Sequence, residues 1–347
     1  MSTSSIPLWG QAWELSVQIA NSPDPIVVSY KTWNPEALHI TFDVMQAAIS
    51  GPIWYADISI YNLNDSDAQT ILKGAVHATL SAGFMTDFQG GANPVIWDGP
   101  VFQVLFTREA VVDQKLTLHC VASPLSEIND GIVSFATGVY SSQVTIAAKM
   151  MAQVGLPPLS AQAGTLSQLA EQRMNAVQFP RGNTIFGKTG KFIAQMADHN
   201  FLHTFSDGKT QYITDLTNGG APVDLIYAPP FPPGYTAQFL DLPAGTTQSL
   251  IGTPHQIADG ATFTVLLDAR LKVQLPALLV QLAATQITQM QRMPVIGEQP
   301  VRPLSPNLTF FVGQVRHVGD SRGNDWYTEV TGFSTSYVEA WLNQLGI

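Results

Sequence analysis

The sequence predicts a β-rich α+β protein whose two β-rich ends flank a smaller mixed α/β insert. Apolar and polar residues alternate strand-wise through residues 12–122 and again from about 250 to 332, whereas helical spacing is concentrated in the centre. A Pro-rich stretch, Ala228-Pro229-Pro230-Phe231-Pro232-Pro233-Gly234, marks a rigid spacer near the second boundary. At 347 residues the chain exceeds what one core usually serves, and the expected division is 1–123, 124–246 and 247–347.

In the first segment, Trp13, Leu15, Val17 and Ile19 alternate with Glu14, Ser16 and Gln18, the pattern of a half-buried strand. The pattern returns at 26–30 and 38–44, and in 53–63 it sets Trp54, Ala56, Ile58 and Ile60 against Tyr55, Asp57, Ser59 and Tyr61. At Asn64-Asp65-Ser66-Asp67 the period changes: Asp65 or Ser66 is the expected N-cap of a short helix carrying Ala68, Ile71 and Leu72 and ending at Gly74. Strands are expected again over 75–84, 97–109 and 116–122.

The insert opens with an amphipathic helix over 141–156, capped by Ser141 or Ser142, with Val144, Ala147, Ala148, Met151 and Val154 as its stripe. A less ordered Ala/Gln/Gly-rich segment is expected over 160–176, a second helix over 190–199, and a hairpin over 202–214 turning on Ser206-Asp207-Gly208. Residues 272–293 read as strand with irregular connections, and 334–345 as a closing helix with Tyr337, Val338, Trp341, Leu342 and Leu345 on its apolar side.

The stretch from Phe311 to Gly332 reads as two strands around a polar tip. His317 shares a face with Phe311, Gly313 and Val315, and Gly319-Asp320-Ser321-Arg322-Gly323-Asn324-Asp325 is a run of turn formers before Trp326. Its pattern Val315-x-His317-x-Gly319-Asp320-Ser321-Arg322-Gly323-Asn324-x-Trp326-x-Thr328-Glu329 resembles the last barrel of bacteriophage tail hub proteins. Further fragments resemble that family in the same order. They are Ile58–Leu63, Leu72-Lys73-Gly74, Ser81-Ala82-Gly83-Phe84 (Phe where the family usually has Tyr), Trp97–Val101, and Gly252 to Leu271.

The resemblance implies two tail-tube-like β-barrel domains flanking the insert. It further implies a homotrimer of pseudo-sixfold shape, a baseplate hub joining the tail tube protein to the central spike protein, with tape measure and other baseplate proteins as neighbours. Such a protein is made in the host cytoplasm and resides in the virion tail. DNA would cross its lumen without specific binding, and no cofactor and no enzymatic activity are implied. His317, Gly319, Asp320, Arg322, Gly323 and Trp326 are the residues expected to shape the hairpin turn or meet a neighbouring subunit.

Composition agrees with a heavily partnered surface. Charged residues are 12% of the chain, well below an average soluble domain, while hydrophobic residues are 45%. A net charge of −10 without a basic run argues against a protein that grips nucleic acid. The N-terminus lacks the basic and apolar regions of a signal peptide, and the apolar stretch 275–287 is too short to span a bilayer, so no membrane insertion is expected.

The single cysteine, Cys120, lies in an alternating run and reads as a structural thiol. His317, Asp320 and Asp325 are of metal-ligating type, but turn aspartates ordinarily bond their own backbone; Asp320 with Arg322 reads instead as an ion pair. Asp198, His199 and His203 lack the Glu of an H-E-x-x-H site. No serine sits in a G-x-S-x-G elbow. Gly182–Thr189 satisfies G-x-x-x-x-G-K-[ST], although Pro180 breaks the strand a phosphate loop needs before it. These residues define the alternative reading: a tail-associated binding module or enzyme acting through the insert on nucleotide or cell-wall material.

Overall fold

The structure, a computed structural model, describes residues 10–31, 37–47, 54–89, 93–109, 113–122, 131–200, 202–206, 210–214, 223–230, 246–257, 260–274, 277–283 and 308–334. The expected helix over 334–345, the tip of the 202–214 hairpin, most of the Pro-rich spacer and residues 284–293 lie outside the described residues.

The first β-rich end contains β1 (Gln11–Ile19), β2 (Ile26–Tyr30), β3 (His39–Ala47), β4 (Trp54–Tyr61), helix α1 (Asp65–Gly74), β5 (Ala75–Phe84), β6 (Val95–Arg108) and β7 (Gln114–Ala122). Alternation decides which face is covered: Trp13, Leu15 and Val17 of β1 and Ala56, Ile58 and Ile60 of β4 are fully buried. Burial of Leu15, Val17, Ile58 and Ile60 contributes about 1.5–3 kcal/mol each by removing them from water. Helix α1 is capped by Asn64, whose side chain accepts from the Asp67 N–H at 2.8 Å, not by Asp65 or Ser66. Those residues stand inside the first turn, where Asp65 and Asp67 oppose the positive end of the helix dipole.

The insert holds β8 (Ile132–Ala136), β9 (Ser141–Ser142), α2 (Gln143–Gln153), α3 (Gln168–Ala176), β10 (Gln178–Phe179), β11 (Thr184–Lys188), α4 (Thr189–His199), β12 (His203–Ser206) and β13 (Gln211–Thr214). Its core is separate from that of the β-rich ends and is built from Val133, Ile146, Met150, Met151, Met174, Ile185 and Ile193. In α2, capped by Ser142, the buried stripe is Gln143, Ile146, Ala147, Met150 and Met151, rotated from the expected one so that Val144 and Val154 lie at its margin. Helix α3 replaces the less ordered segment expected there. Ser167 caps it at 3.1 Å, but only Ala170 and Met174 are buried, too few to leave a periodic trace in the sequence.

The remaining strands are β14 (Leu225–Tyr227), β15 (Thr246–Thr247), β16 (Leu250–Ile257), β17 (Gly260–Leu266), β18 (Leu279–Leu282), β19 (Thr309–Asp320) and β20 (Trp326–Ser334). Strand β18 supplies the strand expected within 272–293. The order β18-β19-β3-β4-β7-β6-β5-β1-β2 is continuous, and β16, β17 and β20 branch from β19. Strand β19 pairs with β20 from Gly319↔Trp326 to Phe310↔Ser334 and, along its other edge, with β3 from Asp320↔Thr41 to Gln314↔Ala47. The two ends of the chain therefore share one sheet and one apolar core, from Trp13 to Val330. Among the described residues, no helix is long and apolar enough to cross a membrane.

Candidate functional site

The hairpin of β19 and β20 lies at the seam between the two β-rich ends, and its tip is fastened to the first end. Asp320 ends β19 with its carboxylate accepting the backbone N–H groups of Arg322 (2.9 Å) and Gly323 (3.0 Å), which closes the turn. The same carboxylate takes the His39 Nε2–H at 2.7 Å, and His39 stacks on Tyr61 with ring centroids 4.4 Å apart. Burial pushes the Asp320 carboxyl up, but its bonds to the Arg322 and Gly323 backbone and to His39 outweigh this and hold it below the ordinary value. Ser321 exchanges bonds with Ile40: its N–H donates to the Ile40 carbonyl and its hydroxyl accepts the Ile40 N–H, both at 3.0 Å.

Each sequence-predicted residue has a definite place. Asp320 meets Arg322 through the backbone, and the Arg322 guanidinium turns instead to the Ala37 carbonyl at 3.4 Å, so the expected side-chain ion pair is replaced by a hydrogen bond from His39. Gly323 lies above Asp320, where an added Cβ would fall 2.7 Å from its Oδ2. Gly319 packs beneath the Phe42 ring, which also meets Trp326 edge-on at 5.2 Å. Trp326 is buried and donates its indole N–H to the Gly83 carbonyl at 3.0 Å. His317 is fully buried on the face opposite Asp320. His317, Asp320 and Asp325 are therefore not brought together, and among the described residues no cluster of metal-ligating side chains exists.

Two arrangements were not visible in the sequence. Arg316 forks onto Asp43 across the seam, Nε to Oδ1 at 2.9 Å and Nη2 to Oδ2 at 2.7 Å, and reaches Glu329 at 3.3 Å. Asp43 in turn stands directly opposite Asp57 of β4, which bonds His119 at 2.6 Å, so each carboxylate of a like-charged cross-strand pair has its own hydrogen-bonding partner.

The second arrangement lines a cleft of about 490 Å³ between the ends, walled by Phe84 and Pro94 on one side and Thr247, Asp268 and Arg270 on the other. Asp268 accepts the Tyr227 hydroxyl at 2.7 Å and both prongs of Arg270, at 2.9 and 2.6 Å. Burial raises the Asp268 carboxyl, but the bonds from Arg270 and Tyr227 prevail and leave it below its usual range. Behind it, Thr328 accepts the Asp268 N–H at 3.1 Å and lies 2.9 Å from His317 Nδ1. The local sign was Asp268-Ala269-Arg270, whose side-chain-to-backbone bond at 3.0 Å is an Asx turn.

The chemistry of these groups is that of fasteners. Asp320 bonds His39, but among the described residues no hydrogen bond joins the Ser321 hydroxyl to His39, so the three do not form a nucleophile–base pair. Burial pushes the Cys120 thiol up to about 12, away from the thiolate that attacks. The phosphate-loop pattern at Gly182–Thr189 is not a loop: Thr184–Lys188 is strand β11, paired antiparallel with β8, and α4 begins directly at Thr189. His199 ends α4 and His203 opens β12, so they share no helix face.

No family model matches the chain, and no curated protein does. Among solved structures it is similar over 95% of its length to 98% of a tail protein from Neisseria meningitidis MC58, at 11% identity and a TM-score of 0.51. It is similar over 94% of its length to 99% of the 43 kDa tail protein of prophage MuSo2 from Shewanella oneidensis, at 10% identity and a TM-score of 0.50. The chain has the fold of phage tail proteins, in agreement with the family its sequence resembles.

Proposed function

We propose that the protein is a structural component of a phage tail baseplate: a hub that assembles as a homotrimeric ring of pseudo-sixfold shape between tail tube and central spike. The observation that carries this reading is the end-to-end likeness in fold to two tail proteins, one of them from a prophage. In this reading segments 1–123 and 247–347 are the tube-like repeats and 124–246 is the insert, of which strand β14 joins the sheet of the ends by pairing with β18. The shared sheet supports it, because strands β3 and β19 hold the two ends in one fixed relation, as a ring of alternating repeats requires.

The exposed tip residues Arg322 to Asp325 would face a neighbouring subunit. The protein would contribute no chemistry of its own. Native mass spectrometry tests the reading directly: a species three times the 37.5 kDa chain is expected, alone or with purified tube and spike proteins. A chain that remains monomeric with both partners present would overturn it. Normal assembly by Asp320→Ala or Arg322→Ala variants would remove the tip from the interface.

A further inference from the structure

We propose that the outer face of the insert docks a second copy of this chain, with the basic, aromatic ribbon of β8 and β11 receiving an acidic β-rich end of its neighbour. The inference rests on the ring reading and names a contact within it. In the β8–β11 ladder Phe186 stands opposite Ser134 and Lys188 opposite Ile132, and alternation turns all four outward. Phe186 is 72% exposed and Ile132 65%, and the ribbon continues into Val139 and Tyr140, at 63% and 68%. Tyr140 is also held at φ 58, a costly conformation for a bulky residue, by its N–H bond to the Phe179 carbonyl at 2.7 Å.

The edges of the ribbon differ. The outward N–H and C=O of Ser134 on β8 are both taken by the Gln153 side chain at 3.3 Å. On β11, the bonds from Thr137 to Asn183 and from Thr189 to Gly131 fix the parity of the ladder, so the backbone of Thr184 and Phe186 faces away from β8. That edge is flanked by Arg181 and Lys191, both exposed and without an ion-pair partner among the described residues.

Charge identifies the occupant. Residues 131–214 carry six Lys or Arg against three Asp or Glu, whereas the rest of the chain carries ten against 23. The body of the insert between residues 131 and 214 is thus basic within an acidic protein and is complementary to the ends of its own copies. Such a contact joins unlike surfaces, the kind that closes rings. A duplex would not be matched by aliphatic Ile132 and Val139, and it would meet a protein of net charge −10.

The test is zero-length carbodiimide cross-linking of full-length chain mixed from unlabelled and ¹⁵N-labelled protein. Mixed-isotope peptides joining Lys191 to carboxylates of residues 10–122 or 246–334 are expected. R181E/K191E should lose them and self-associate about tenfold more weakly in sedimentation velocity, with an unchanged circular dichroism spectrum. Assembly of R181E/K191E at wild-type strength, or a wild-type oligomer without these cross-links, would overturn the docking face while leaving the ring reading intact. Loss of duplex binding in the variant without loss of self-association would assign the ribbon to nucleic acid instead. A wild-type chain that never self-associates, even with tube and spike proteins, would overturn both readings.

Discussion

Gly319 and Phe42 are in register on neighbouring strands, and the Phe42 ring occupies the space a side chain at 319 would need: a Cβ there would lie 2.2 Å from Phe42 Cζ. The ring cannot withdraw freely, because its other edge meets Trp326. Gly319→Ala should therefore destabilise the protein by overpacking, by about 1–3 kcal/mol. Urea denaturation checks this, and Gly319→Ala in a Phe42→Leu background should recover part of the loss.

Arg316 and Asp43 should behave as a partly exposed pair with good geometry. Their side chains are 38% and 31% accessible, which limits the coupling to about 1 kcal/mol or less in a double-mutant cycle. The single variants should nevertheless differ. Arg316→Ala leaves Asp43 facing Asp57 with Glu329 nearby, three carboxylates around one seam, whereas Asp43→Ala removes the opposed charge. Arg316→Ala should be the more destabilising of the two, and the gap should shrink in high salt.

The same seam shows what the sequence can and cannot carry. Strands with one wet face write themselves as alternation, so β1, β4, β19 and β20 were readable from residue type at every second position. Partner choice leaves no such mark. Nothing local in Phe311–Asp320 says that its second edge belongs to β3, about 270 residues earlier, so the Asp320–His39 and Arg316–Asp43 pairs were hidden while the turn they serve was not. Helix α3 was missed for the opposite reason: it is local, but it buries too little to be periodic.

Asp268 should matter more than the hydroxyl it holds. Tyr227→Phe removes one bond of 2.7 Å from a carboxylate that keeps Arg270, and about 0.5–1.5 kcal/mol is expected. Asp268→Asn leaves the guanidinium without its counter-charge and turns an amide donor toward other donors, so about 1.5–3 kcal/mol is expected. Denaturation midpoints of the two variants, measured with unchanged slopes, give the order.

His317 should make stability depend on pH in a window set by burial. Desolvation of the fully buried ring lowers its pKa from 6.5 to about 4, although the Asp268 carboxylate and the Leu271 backbone both pull it upward. Because the folded value is depressed, the unfolded chain binds a proton that the folded chain refuses between these two values. Stability should therefore fall as pH drops from about 6.5 toward 4 and level off below, by up to about 3 kcal/mol. Asp268 and Asp320 have depressed carboxyls, so their losses begin as the pH enters the unfolded carboxylate range and continue below it, under the upper part of the window. His317→Asn can keep a bond to the Thr328 hydroxyl without a titrating ring. The difference between wild-type and variant unfolding free energies should trace the His317 curve, and a difference that is flat from pH 7 to 4 would show that the ring takes up its proton without opening the core.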